Sequence, residues 1–227
     1  SPHQVLMELK TTIIDKNVTS KRSLVYHAGI TLSSTLLGFV LGAGLGIGLA
    51  VGIVHVETLD KSLMPWIITS QTIPILALAP MVIVVFGALG ISGLLPKALI
   101  SMYLCFFPVA VGMVKGLRSP QPMLLDLLNT YSASKWQVFW RLRLPSAMPF
   151  LFTSLKVAIA LSLVGAIVAE LPTGGQAGLG ARLLSGSYYG QTNLIWASLI
   201  AAAVMSANLV SILGFIERKV CYRLAGG

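Results

Sequence analysis

Charged residues are scarce in this sequence, and acidic ones scarcest. Asp, Glu, Lys and Arg together make up 10% of the 227 residues, against about 25% in soluble domains, too few to clothe a soluble surface. With seven Asp and Glu in all, no paired-carboxylate arrangement for acid–base work stands out. The histidines, His3, His27 and His55, are scattered without metal-ligand spacing, and no Ser-His-Asp arrangement accompanies them. Of the cysteines, Cys105 lies in an apolar run and Cys221 in the C-terminal tail. Neither a disulfide nor a metal pair is expected from them, and Cys105 reads as a small core residue. Residues 1–22 also lack the uninterrupted apolar core of a signal peptide. These shortages argue against soluble enzymes, disulfide scaffolds and metal-site proteins alike.

What is present is apolar. Hydrophobic residues make up 56% of the chain, and the mean hydropathy is +0.85. A helix needs about 20 such residues to cross a bilayer, and five runs supply them: Leu24 to Val54, Leu63 to Ala88, Pro96 to Val114, Phe150 to Glu170 and Leu194 to Ile216. The expected class is an all-α membrane protein of five transmembrane helices, six if one lies upstream. Ahead of the first run, Val5, Leu6, Leu9, Ile13 and Ile14 follow a helical spacing, which predicts an amphipathic helix over residues 1–22 lying along the membrane.

Inside the first run, the pairs Gly38/Gly42, Gly44/Gly48 and Gly48/Gly52 remove side chains from a face, so a second helix of the same subunit is expected to approach closely. The second run holds Pro65, Pro74 and Pro80. Proline frees carbonyls that only protein or a water-filled path can satisfy at membrane depth. Its segment SQTIPILALAP, from Ser70 to Pro80, is therefore either the wall of a pathway or an ordinary kink. After the fourth run, Leu179 to Leu184 reads as a short interfacial helix, and Tyr188 and Tyr189 as part of the outer aromatic belt.

One long polar interval interrupts the apolar pattern: DLLNTYSASKWQVFWRLRLPSAMP, from Asp126 to Pro149. Around it Lys115, Arg118, Lys135, Arg141 and Arg143 oppose Asp126, and in the tail Arg218, Lys219 and Arg223 oppose Glu217. Cations mark cytoplasmic loops, and two runs separate these two clusters, so both assignments agree. The sixteen Lys and Arg thus call for a membrane lipid boundary rather than a nucleic acid. Counting back puts residues 1–22 outside, where Lys10, Lys16, Lys21 and Arg22 fit poorly; an upstream helix would explain their translocation. Within the interval, Asp126 to Tyr131 reads as a short helix with Leu124, Leu125, Leu127 and Leu128 on its apolar side. Ser132 or Ser134 then caps a second helix, in which Trp136, Phe139, Trp140 and Arg143 recur at spacings of three and four. Leu144-Pro145 is expected to break that helix at the membrane surface.

On these residues the interval resembles the cytoplasmic loop of permease subunits of binding-protein-dependent ABC importers, whose consensus is E-A-A, three residues, G, nine residues, I-x-L-P. Aligned on Leu144-Pro145, Leu142 takes the Ile position, Ser132 the Gly position, and Asp126, Leu127 and Leu128 fall on E-A-A; Ala133 to Phe139 matches the family's wording. Serine for glycine leaves the bend between the helices open, since glycine tolerates turn geometries that serine does not. From about Ser33 to Glu217 the chain is similar to the sulfonate, taurine, nitrate and pyrimidine-precursor branch of these permeases, through TIPILALAP, the LP turn and Ala169-Glu170.

The resemblance implies the transmembrane domain of a type I ABC importer, a single permease domain over 1–227 in the bacterial inner membrane, with its C-terminus cytoplasmic. It implies that Asp126, Leu127, Leu128, Ser132, Ala133, Ser134, Lys135, Leu142, Leu144 and Pro145, within a loop spanning 116–144, couple to a cytoplasmic ABC ATPase dimer. It further implies a second copy of the permease and a periplasmic or lipid-anchored solute-binding protein. The chain has no GxxxxGK[ST] pattern, so no cofactor is expected in it, and ATP and magnesium would be bound by the ATPase. An ATP-independent secondary carrier or channel is the competing reading; it would call for inverted repeats with broken helices in matching places, and it leaves the polar interval unexplained.

Candidate positions along a translocation path are Gln71, Thr72, Pro74, Lys156, Ser162 and Glu170. Lys156 lies roughly 16 Å along a helix from Pro145, near mid-membrane, where it should face the interior and either attract an anion or pair with an acid. Glu170 reads as an interfacial carboxylate, with gating or docking as the alternative. Ser70, Gln71, Thr72 and Ser162 are expected to bond neighbouring helices. For the cargo, Lys156 suggests an anion, whereas residues 129–190 resemble the pyrimidine-precursor members.

Overall fold

A computed structural model describes residues 2–13, 20, 23–172 and 177–225. Ile14, Lys16, Lys21 and Arg22 of the expected N-terminal segment lie outside the described residues, as do the side chains of Leu6, Ile13 and Arg223. Among the described residues every regular element is helical: α1 (Pro2–Ile13), α2 (Leu24–His55), α3 (Glu57–Ser70), α4 (Ile75–Ala88), α5 (Leu94–Leu117), α6 (Pro122–Thr130), α7 (Lys135–Glu170), α8 (Leu179–Tyr188) and α9 (Thr192–Ala225). Within them, 4 helices are long and apolar enough to cross a membrane, α2, α5, α7 and α9; the bent pair α3–α4 brings the total to 5.

The core is the contact of α2, α5 and α7, and it is made by small residues. A Cβ on Gly38 would lie 2.4 Å from Ser101 Cβ, on Gly42 2.9 Å from Cys105 Cβ, and on Gly46 2.7 Å from the Phe106 carbonyl. On the other side of α5, Gly116 meets Ala147 and Phe150, while Gly165 of α7 meets Ser101. Ala50, Cys105, Val109, Met113, Leu117, Leu151 and Ala158 fill the rest. Cys105 is buried there as a small core residue. The expected close approach therefore exists at Gly38/Gly42 and extends to Gly46, whereas Gly44 and Gly48 meet nothing within 4 Å.

Three elements differ from expectation. The second run is not one continuous kinked helix but two helices bent by 97°. Pro74 is the breaking proline: it occupies the N-cap of α4 with extended backbone (φ −68°, ψ 117°), where a missing N–H has no partner to lose, and a proline disfavours the helical region for the residue before it. Pro65 and Pro80 sit inside α3 and α4 without breaking them. The helix that begins after Ser134 does not stop at Leu144-Pro145. It widens into one π turn over Phe139–Arg143, where the Leu144 N–H bonds the Phe139 carbonyl, and continues to Glu170. The wider turn makes room for the Pro145 ring, which would collide with a carbonyl four residues back in a regular helix. Third, α8 runs past the expected Leu184 to Tyr188 and docks into the protein, with Leu179, Gly180, Ala181 and Gly186 buried. α1 joins the same region: Leu9 packs with Leu24, Leu179 and Ala202, and the Ser23 hydroxyl donates to the Thr12 carbonyl at 3.3 Å.

The glycine contacts make a simple prediction. Gly42→Val should lower the unfolding midpoint in detergent by an amount equivalent to about 1–3 kcal/mol, the usual cost of overpacking. Gly48→Ala, on the open face, should leave it unchanged or raise it slightly. Differential scanning fluorimetry of the two purified variants separates the cases.

Candidate functional site: a bent helix pair at one end of the bundle

At one end of the bundle the chain leaves α5, forms α6, turns and enters α7. The turn has defined chemistry. Ser132 stands in the left-handed region with φ 53°, its N–H bonds the Asn129 carbonyl at 2.9 Å, and the Ala133 N–H bonds the Leu128 carbonyl at 3.0 Å. This is the paired-bond C-terminus in which glycine usually sits at the left-handed position; here serine takes it. Ser134 follows as the N-cap of α7. Its hydroxyl accepts from the Gln137 N–H at 3.3 Å and its own N–H donates to Gln137 Oε1 at 2.8 Å, a complete capping box. Of the two serines offered as caps, Ser134 caps and Ser132 turns.

The pair is anchored at its rear and bare at its front. Trp136 stacks on Phe139 with ring centroids 5.8 Å apart, and Trp140 meets both edge-on at 5.5 Å. Phe139 is buried, with the His55 ring edge-on at 5.1 Å. Arg143 Nη1 donates to the Leu117 carbonyl at 3.3 Å, placing a cation at the end of α5 where the helix dipole favours it. The adjacent Arg118 pairs with Asp60 of α3 at 2.9 Å. By contrast no residue of α6 is buried. Met123 is 79% exposed and Leu127 51%, and Asp126 and Lys135 are exposed beside them. Leu128, Ala133, Leu142, Leu144 and Pro145 are half-buried beneath this surface. The arrangement presents an apolar and charged helix away from the bundle on a rigid base.

The path candidates scatter. Gln71, Thr72 and Pro74 lie at the break between α3 and α4, where Gln71 Nε2 donates to Ser70 Oγ at 3.3 Å and Thr72 Oγ1 to the Thr69 carbonyl at 2.8 Å, both within the same turn. The expected bond to a neighbouring helix is made instead at Ser70, whose carbonyl accepts from the Tyr103 hydroxyl of α5. Ser162 is fully buried, donating to the Thr35 carbonyl at 2.8 Å and sharing a 2.7 Å bond with Ser101. Lys156 is ion-paired with Glu217 of α9, the acidic-partner alternative rather than an open cation.

Glu170 is not interfacial. It is fully buried at the opposite end of the bundle, for a reason visible in its partners. Its carboxylate accepts from the Thr31 hydroxyl at 2.9 Å and the Gly180 N–H at 2.9 Å, with Lys97 Nζ 3.9 Å away. Lys97 in turn donates to the Ala177 carbonyl at 3.0 Å. The Leu179 N–H bonds Thr31 Oγ1 and the Gly178 N–H bonds His27 Nδ1, each at 2.9 Å. Three successive N–H groups at the start of α8 are thus satisfied by side chains from α2 and α7, and the carboxylate meets the positive end of the helix. Gly178 and Gly180 let the chain approach: a Cβ would stand 2.1 Å from the Glu170 carboxyl carbon at the first, and 2.3 Å from the Ile167 carbonyl at the second. Lys97, Thr31 and His27 escaped the sequence reading. The only signals were a lysine beside Pro96 at the start of an apolar run and the Gly178-Leu179-Gly180 spacing.

A multi-pass apolar bundle carrying an exposed helix pair at one end defines a class, the membrane-spanning subunit of a transporter. The model of the family described as binding-protein-dependent transport system inner membrane component matches residues 42–222, and the chain belongs to that family. Relatives include a riboflavin transport system permease protein of Chloroflexus aurantiacus, 38% identical over 85% of this chain and 70% of that one. A formylaminopyrimidine transport permease protein of Halalkalibacterium halodurans is 32% identical over 91% of this chain and 79% of its own. The taurine transport system permease protein of Escherichia coli is 26% identical, covering 96% and 78% respectively. The fold resembles that of the methionine ABC transporter MetNI in an inward-facing conformation, with TM-score 0.73 over 88% of this chain and 95% of that one at 17% identity. The protein is a translocation subunit of an ATP-driven importer, and the ATP-independent carrier or channel is set aside.

Removing Glu170 tests the far-end cluster. Glu170→Ala leaves a buried lysine without its counter-charge and should cost about 3–5 kcal/mol. Combining it with Lys97→Met should recover much of that loss. Thermal unfolding of the single and double variants in detergent reads the difference.

Proposed function

We propose that α6 and the first turns of α7 receive a cytoplasmic ATPase, and that the importer is completed by a second copy of this chain and an external solute-binding protein. The observation that carries the reading is α6 itself, a nine-residue helix with nothing buried, held at a set angle by the Ser132 turn and the Ser134 cap. A helix with that much apolar exposure outside the bundle calls for a protein groove. Asp126, Leu127 and Leu128 supply the contact, Ser132, Ala133, Ser134 and Lys135 the turn and entry, and Leu142, Leu144 and Pro145 the base. ATP and magnesium belong to the ATPase. The basic residues around this loop and in the tail support placing both on the cytoplasmic face of an inner membrane, with α1, α8 and Glu170 toward the outside.

For the cargo, a neutral nitrogen heterocycle of flavin or pyrimidine type is favoured over an anion. The riboflavin and formylaminopyrimidine permeases are more alike to this chain than the taurine permease. Lys156, the one feature that argued for an anion, is matched by Glu217.

Two expectations follow. Asp126→Lys and Ser132→Trp should abolish co-purification of the ATPase and transport, while Ser132→Gly, which suits φ 53°, should retain both; unchanged association in the first two sinks the coupling assignment. In a thermal-shift screen the partner binding protein should be stabilised by riboflavin or a substituted aminopyrimidine, and not by taurine or nitrate. The reverse result would return the anion.

A further inference from the structure

We propose that Asp60 and Arg118 are positioning residues forming a strut, through which displacement of the coupling loop is passed to the bent helix pair α3–α4. The inference rests on the coupling role assigned to α6.

The α3–α4 pair is lightly held within this chain. Ile67 is the buried residue of α3 and Ala79 that of α4. Its first helix has a bend at each end, at Val56 (φ −125°, ψ 106°) and at the 97° break before Pro74, and α4 continues into α5 through residues 89–93. It is thus an arm with an articulation at each end of α3. Among the described residues, two polar side-chain ties run from this arm to another helix. Tyr103 of α5 donates to the Ser70 carbonyl at the break, and Arg118 pairs with Asp60 one turn into α3. Leu59 packs near Gly52 beside the first bend.

Arg118 occupies the point where the loop's forces converge. It is the C-cap of α5, two residues before Pro120 and four before the start of α6. Its neighbour Leu117 accepts the bond from Arg143 of α7. A movement of α6 is therefore delivered to residues 117–118 from both sides, and the guanidinium hands it on to α3. The first articulation is coupled to the same region: His55 lies edge-on to Phe139, in the π turn of α7.

The exposure of the pair suits a switch. The side chains are 46% and 30% exposed, so the bond can break without leaving a buried charge. It adds little to stability and can still bias the position of an otherwise loose arm. Glu57–Lys61, one turn away, is an exposed pair within α3 and transmits nothing, which makes it a control.

The test uses the whole importer, this chain with its ATPase and binding protein, in nanodiscs. Spin labels at Thr58 and Met123 report the distance from α3 to α6, with and without ATP–vanadate trapping. ATP hydrolysis is measured with and without saturating binding protein. Arg118→Glu should retain ATPase association yet lose at least half of the trapped-state distance change, with stimulation falling about two- to fivefold, the scale of an exposed ion pair. The exchange Asp60→Lys/Arg118→Glu should restore both, and Lys61→Glu should alter neither. A wild-type distance change in Arg118→Glu, or a double variant no better than the single, overturns the strut. If ATPase association proves independent of α6 in the first place, the coupling role falls too, and that is decided separately by the Asp126→Lys result.

Discussion

Apolar side chains gain little by leaving lipid for the inside of a helix bundle, so helices in a membrane are held by close van der Waals packing and by hydrogen bonds between them. Here that constraint is met at the α2–α5–α7 contact. Gly38, Gly42 and Gly46 bring the α5 backbone against α2, Gly116 and Gly165 do the same between α5 and α7, and Ser101, Ser162 and Thr35 bond across the three helices at one level. Everything else is hung on this block: the bent pair α3–α4 at its margin, α9 along one side, the loop at one end and the Glu170 cluster at the other.

The two ends solve the same problem in opposite ways. At the Glu170 end, the free N–H groups of α8 are answered inside the protein by His27, Thr31 and Glu170, and the segment is sealed to the core. At the loop end, helix ends are answered locally, by the Ser132 turn and the Ser134 box, leaving α6 free of any obligation to the bundle. One end is locked into the core and the other stands clear of it.

Much of this was legible. Runs of about 20 apolar residues separated by sparse charge name the spans, and the polar interval between two such runs announces itself. Less legible was which of three prolines breaks the second run, because Pro65 and Pro80 carry the same local chemistry as Pro74 and differ only in where the chain has room. Leu144-Pro145 misled because a π turn relieves the collision that normally ends a helix there. Ser132 matched a glycine position, yet its left-handed backbone could only be seen in the chain's actual path. Glu170 misled most: its burial depends on Thr31, 139 residues distant, and on Lys97, and no local pattern reveals partners brought together by three helices.

The unbroken course of α7 carries a mechanical consequence. Its 36 residues make a rod of about 54 Å, with the aromatic cluster at one tip and the Glu170 carboxylate at the other. A tilt of about 5° around its middle would sweep each tip through roughly 2 Å. Because the helix is continuous through the π turn, a displacement of its loop-end tip is matched by an opposite displacement of the Glu170 tip, with no hinge between them to absorb it.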